Sequence, residues 1–216
     1  MPKGWIRKRK MDYYYRKAKR EELRSRASFK LLEAVEKYGF IRPGDVVVDL
    51  GAAPGGWLQV ARRVVGDSGF VLGVDINEIK PLEFTNVLAI VGDIKEPETI
   101  RRIKAILPRP ADVVLSDVSP NVSGIWELNH ARQIELAECS LKIAVSILRT
   151  GGNFFVKVFQ GELQSEFLNS LRERFRRVRI VKPKASRKES AEIYLLAMKY
   201  KGERKGAQFN DPQRPS

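Results

Sequence analysis

Short apolar runs alternate along this chain with stretches whose apolar positions recur every three or four residues. The runs VVVDL (46–50), FVLGVD (70–75), VLAIVG (87–92), DVVLSD (112–117) and NFFVKV (153–158) read as strands, and VRIV (178–181) and EIYLLAM (192–198) bring the number to seven. Helices are predicted over 57–65, 97–106, 130–148 and 162–174. A further helix is predicted over 27–38, where Phe29, Leu32, Val35 and Tyr38 share a face, Gly39 stops it and RPGD turns the chain. Nearly continuous apolar strands separated by helices predict an α/β fold, a mostly parallel sheet with helices on both faces. With 216 residues, 43% of them hydrophobic, the chain can bury one sizeable core. The expected organisation is a basic arm over 1–22, too charged to join the core, one domain over 23–200, and a disordered polar tail over 201–216.

Charge sharpens this picture. The formal net charge is +14, but it is uneven: residues 1–30 carry +9, residues 172–190 carry +7, the tail from Lys199 carries +3, and the remainder is acidic. Two basic segments on a mildly acidic body predict a polyanion-binding surface, with nucleic acid as the partner. Three tyrosines sit among the cations of MDYYYRKAKR, a mixture suited to stacking on bases and pairing with phosphates; a basic helix with its tyrosines packed on the body is the alternative. No apolar stretch is long enough to cross a bilayer, and the basic N-terminus lacks the apolar run of a secretory signal. Cys139 is the only cysteine and His130 the only histidine, which argues against a disulfide or a metal site and fits a cytosolic chain, a monomer by default.

Candidate chemistry begins at DLGAAPGGW (49–57), a glycine-rich turn between a strand and a helix. In open α/β sheets ligands lie at the carboxyl ends of the strands. The dinucleotide pattern G-x-G-x-x-G is broken here, because Ala53 replaces the second glycine and Pro54 follows it. The first four strands each end in an aspartate: Asp49, Asp75, Asp93 and Asp117. Asp75 is placed to accept from ribose hydroxyls and Asp93 from an adenine amino group. A ring of carboxylates suits a cationic nucleoside ligand such as S-adenosylmethionine; helix capping and turn formation are the alternatives for any one aspartate.

The segments LRSRASFKL (23–31), VDLGAAPGGW (48–57), SDVSPNVSG (116–124), GGNFFVKVFQG (151–161) and SRKESAEIY (186–194) together resemble the FtsJ/RrmJ (RlmE) family of ribose 2′-O-methyltransferases. The resemblance covers roughly residues 20–200. It implies a single-domain, Rossmann-like class I fold dependent on S-adenosylmethionine. It also implies a catalytic tetrad of Lys30, Asp117, Lys157 and Glu192, with Lys157 as general base, and cofactor contacts at Gly55, Trp57, Asp75, Asp93 and Asp117.

The residues themselves fit that chemistry. A ribose 2′-hydroxyl is a poor nucleophile until its proton is removed or firmly bound, and a lysine accepts a proton only if burial or a nearby cation lowers its pKa. Lys157 lies within an apolar run, and Lys30 would supply a second positive charge. Asp117 and Glu192 would orient the lysines while pushing their pKa values upward. Taken one at a time, Lys157 also reads as a strand-end lysine, Lys30 as a solvated helix residue, Trp57 as core, and Glu192 as a partner of Arg187 or Lys188. One position departs from the bacterial pattern: Asn129 stands where the family leads one to expect aspartate, and is read here as a helix cap, with His130 beside it at the helix start.

By resemblance the substrate is RNA, a uridine ribose of large-subunit ribosomal RNA, as befits a compact chain without a large appended domain. A tRNA target, and a non-catalytic RNA-binding assembly factor on the same scaffold, remain alternatives. An NAD-dependent oxidoreductase is disfavoured by Ala53 and by the lack of a Tyr-x-x-x-Lys pair.

Overall fold

The computed structural model describes residues 12–187 and 189–202. The predicted strands form one seven-stranded sheet, here named β1 (Val46–Leu50), β2 (Phe70–Asp75), β3 (Val87–Val91), β4 (Ala111–Ser116), β5 (Leu148–Phe159), β6 (Phe175–Val181) and β7 (Glu192–Tyr200). Its order is β3-β2-β1-β4-β5-β7-β6. The first five strands run parallel, and β7 inserts antiparallel between β5 and β6. Strand order reverses beside β1, so the loops after β1 and β4 diverge and open a crevice at the carboxyl ends.

The helices are α1 (Tyr13–Arg20), α2 (Ser28–Tyr38), α3 (Gly56–Val65), α4 (Pro97–Ile106), α5 (Trp126–Ile147) and α6 (Gln164–Arg174). Gly39 ends α2 in the left-handed conformation at φ 58°, as its position predicts. β1, β4 and most of β5 are buried on both faces, which explains their unbroken apolar runs. One face packs against α2 and α3 through Leu31, Trp57, Leu58 and Phe155; the other packs against α4, α5 and α6 through Ile103, Ile134, Phe167 and Leu171. The two-sided covering fails at β3, an edge strand with Leu88 and Val91 exposed.

Three expectations are corrected. α5 starts four residues before the predicted 130, and its N-cap is Ile125, so Asn129 caps nothing. Asn129 instead bonds three ways to Ser123, accepting at Oδ1 from the backbone N–H (2.7 Å) and hydroxyl (2.9 Å) and donating from Nδ2 to the carbonyl (2.8 Å). An amide does both, so its side chain closes the 118–125 loop. The basic arm is not wholly outside the core: Ala18 of α1 is buried in a small cluster with Leu23, Phe29 and Ala185, and Tyr14 packs against it. The aspartates, finally, do not all end their strands. Asp49 lies inside β1, Asp75 closes β2, and Asp93 and Asp117 lie just beyond β3 and β4. Residues 1–11 of the arm and 203–216 of the tail lie outside the described residues.

Candidate active site

β1 and β4 run in register from Val47 opposite Val113 to Leu50 opposite Ser116. The backbone N–H of Asp117 then donates to the Leu50 carbonyl at 3.1 Å. A Cβ on Gly51, which sits at φ +77°, would come within 3.0 Å of the Val118 backbone nitrogen. Glycine is therefore required where the two loops part.

Asp117 is the centre of a polar cluster. Lys157 of β5, 4% exposed, places Nζ 2.8 Å from the Asp117 carbonyl and 3.1 Å from its Oδ1. Register puts Tyr194 of β7 opposite Lys157, and the Tyr194 hydroxyl lies 2.8 Å from Asp117 Oδ1 and 3.4 Å from Glu192 Oε1. Lys30 of α2 reaches Glu192 Oε1 at 2.5 Å and sits 5.7 Å from the Tyr194 ring centroid. The Ser186 hydroxyl donates to the same Glu192 oxygen at 3.3 Å. The structure thus brings Lys30, Asp117, Lys157 and Glu192 together as two lysine–carboxylate pairs joined by a tyrosine. Glu192 takes Lys30, not Arg187, as its ion-pair partner.

Burial pushes the Asp117 carboxyl up, but the charges of Lys157 and Lys30 and the hydrogen bonds from Tyr194 and Lys157 outweigh it and hold it below the usual carboxylate range. Tyr194 moves the other way: burial, then the charges of Asp117 and Glu192, raise its hydroxyl well above the ordinary tyrosine value. It remains a proton donor to two carboxylates. Tyr194 is inconspicuous in the sequence because it lies in an apolar strand run. The available signal was the strand period, which puts residues 192 and 194 on one face.

A cleft of about 670 Å³ opens beside Asp117, walled by Gly51, Ala53, Asp75, Asp93 and Asn121, with Arg132 and Glu135 of α5 on its far side. Asp75 Oδ2 accepts from the Ala53 N–H at 2.9 Å and Oδ1 from the Asn77 N–H at 2.8 Å, which fixes the carboxylate at the cleft wall. Asp93 is exposed there. Beneath the cleft floor, Asp49 is fully buried, and neither carboxylate oxygen has a hydrogen-bond partner among the described residues. Burial, with the charges of Asp117 and Asp75 adding to it, raises its carboxyl well above the usual range. Asp75 and Asp117 give this region a negative potential, which fits a ligand carrying a sulfonium and an ammonium.

Two expected cofactor residues stand apart from the cleft wall. Trp57 is 3% exposed, donates from Nε1 to the Ala27 carbonyl at 2.8 Å and stacks on Phe155. Gly55, at φ 103°, is the N-cap of α3, and Arg24 fills the space beside it while bonding to the carbonyls of Pro54, Lys80 and Pro81. Both residues shape the loop from behind. Among the described residues no group of His, Cys, Asp or Glu is arranged to hold a metal, and no helix is long and apolar enough to cross a membrane.

The chain matches a family model described as FtsJ-like methyltransferase over residues 23–200. A protein of Methanocaldococcus jannaschii named ribosomal RNA large subunit methyltransferase E is 49% identical over 205 residues, 94% of this chain and 84% of the relative. A protein of the same name from Methanosarcina mazei is 53% identical over 190 residues, 88% of this chain and 69% of the relative. The crystal structure of a ribosomal RNA methyltransferase from Plasmodium falciparum matches with a TM-score of 0.74 at 28% identity, over 83% of this chain and 100% of that chain. Fibrillarin from Aeropyrum pernix, solved with natively bound S-adenosyl-L-methionine, shares the fold with a TM-score of 0.57 at 19% identity, over 81% of this chain and 75% of that one. From family model, relatives and fold together, this chain belongs to the FtsJ-like methyltransferase family.

Proposed function

We propose that the protein methylates a ribose 2′-hydroxyl in large-subunit ribosomal RNA, that of a uridine, in the cytoplasm, using S-adenosylmethionine. The single observation that carries this reading is the cluster of Lys157, Asp117, Tyr194, Glu192 and Lys30 at the edge of an acidic cleft. When bound, the cofactor supplies an electrophilic methyl group on a positively charged sulfur. Asp75 would hold its ribose hydroxyls, Asp93 its adenine amino group, and Asp117 its positive charge. Gly55 and Trp57 would set the shape of the loop beneath it.

Lys157 takes the proton of the 2′-hydroxyl. Asp117 fixes the amine through two contacts and so holds it in one place. Lys30, held by Glu192, keeps a positive charge near Lys157 and faces the ribose or its phosphate. Tyr194 ties both carboxylates into one frame, which lets Lys157 exchange its proton without loosening Asp117. The exposed cations of β6, Arg176, Arg177 and Arg179, offer contacts to the RNA backbone with strong salt dependence. The names of the relatives favour ribosomal RNA over tRNA.

The test is nucleoside mass spectrometry on unmodified ribosomal RNA and ribosomal particles incubated with protein and S-adenosylmethionine. The expected product is 2′-O-methyluridine. Product on tRNA alone would move the substrate, a base-methylated nucleoside would overturn the tetrad, and cofactor binding without any product would favour the assembly-factor reading.

A further inference from the structure

Eleven large apolar side chains are exposed among the described residues, and five of them gather where the 118–125 loop and the first turn of α5 meet the start of α6: Val122, Ile125, Trp126, Leu128 and Leu163. His130 ties the start of α5 to Leu163, because its Nε2 accepts from the Leu163 N–H at 3.2 Å and its ring stacks on Trp126. Apolar surface gathered in this way marks a contact site rather than scattered exposure.

Trp126 is its most organised member. Its ring lies nearly parallel to Phe159, with centroids 5.8 Å apart at 24°, and to His130, at 6.3 Å and 17°. The stack still leaves 44% of Trp126 exposed. Phe159 follows Lys157 by two residues along β5, and it pairs directly with Glu192 across the β5–β7 ladder. Directly paired residues of an antiparallel ladder carry side chains about 5 Å apart. The aromatic stack is therefore the immediate neighbour of the lysine–carboxylate cluster, on the side away from the acidic cleft.

We infer that Trp126, braced by Phe159 and His130, is a stacking platform for the unpaired nucleobase of the nucleotide whose ribose reaches Lys157. A nucleobase is flat and uncharged and matches a rigid indole, and Trp is a strong stacking partner for unpaired bases in RNA. Charge supports a base rather than a phosphate at this spot. Glu127 and Glu162 flank the patch and are exposed, so they repel the backbone. Cations lie to either side, at Arg132 of α5 and at Lys182, whose Nζ contacts the Glu192 carbonyl. The inference rests on an RNA substrate, and it adds that the target is presented unpaired.

The decisive experiment is a binding cycle. The probes are a nine-nucleotide abasic RNA backbone and the same backbone carrying one central uracil, titrated against the full-length chain, Trp126→Phe and Trp126→Ala. For the unsubstituted chain the single base should tighten binding roughly 5- to 150-fold. Trp126→Phe should keep part of that gain, and Trp126→Ala should lose it while binding the wholly abasic backbone as the unsubstituted chain does. Equal gains in the unsubstituted chain and Trp126→Ala would overturn the platform, as would no gain in any of the three. Thermal melting and cofactor affinity should be unchanged in Trp126→Ala. Because the readout is affinity, a chain that bound the base through Trp126 but methylated no RNA would refute the proposed activity and leave the platform standing.

Discussion

The two ends of β4 each hold an aspartate pressed between cations, and they do opposite work. At the amino end Asp112 is buried, with Arg149 Nε 2.5 Å from Oδ1, Arg109 Nη1 2.6 Å from Oδ2, and the Val46 N–H donating to Oδ2 at 2.8 Å. Burial would raise its carboxyl, but the bonds from Val46, Arg149 and Arg109 outweigh that and lower it. At the carboxyl end Asp117 is lowered in the same way by Lys157, Lys30 and Tyr194. Guanidinium groups and backbone amides do not give up protons in a protein, whereas lysine amines and tyrosine hydroxyls do. Asp112 is therefore a clamp that pins β1 and β5 to β4, and Asp117 is the hub of a network able to exchange a proton. Charge pairing alone does not mark a reactive site; the kind of cation does.

Substitutions at the two ends should separate these roles. The largest effect is expected for Lys157→Ala, which should lower the methylation rate by about 10²–10⁴-fold while leaving cofactor affinity intact by calorimetry. A near-normal rate would remove the distinction at the carboxyl end. Next, Tyr194→Phe deletes one hydroxyl bonded to a charged carboxylate and should slow the rate roughly 10- to 100-fold; rates equal to those of the unsubstituted chain would leave the tyrosine a purely structural residue. Asp112→Ala should do the reverse. It leaves the buried Val46 N–H without its acceptor, so denaturant unfolding should show a loss of about 1–3 kcal/mol with kcat preserved, and a fall in kcat without lost stability would contradict the clamp.

The smallest effect concerns pH. Asp112 and Asp117 have lowered pKa values, so the stability they contribute is present above the unfolded aspartate value of about 3.9 and is lost as pH falls through their native values. Asp49 is raised, so its sign is reversed: stability is greatest below the unfolded value and declines as pH climbs toward its native pKa. Asp49→Asn abolishes that decline. Melting curves from pH 4 to 8 should show the variant gaining on the unsubstituted chain as pH rises, and a constant difference would mean that Asp49 has another partner in solution.

Much of this was readable in the chain. The apolar runs placed all seven strands, most plainly β1, β4 and β5, because a strand buried on both faces has no room for polar alternation. Lys157 stood out as a charge inside such a run. Tyr194 did not, because its hydroxyl acquires meaning only from Asp117, 77 residues earlier. Trp126 was likewise silent until α5 began at residue 126 and set its ring against Phe159. Asn129 shows the converse failure. Its chemistry suits a cap, but the helix started three residues before it and gave the amide a loop to close.

Sequence by itself determined the alternation of strand and helix, the parallel character of the sheet and the glycine turn after β1, because these follow from local periodicity and backbone freedom. Tertiary structure alone decided which distant cations meet which carboxylates: Lys30 with Glu192, Lys157 with Asp117, and Arg149 with Asp112. Those pairings depend on strand order and register, which join residues far apart in the chain, and no local pattern encodes them.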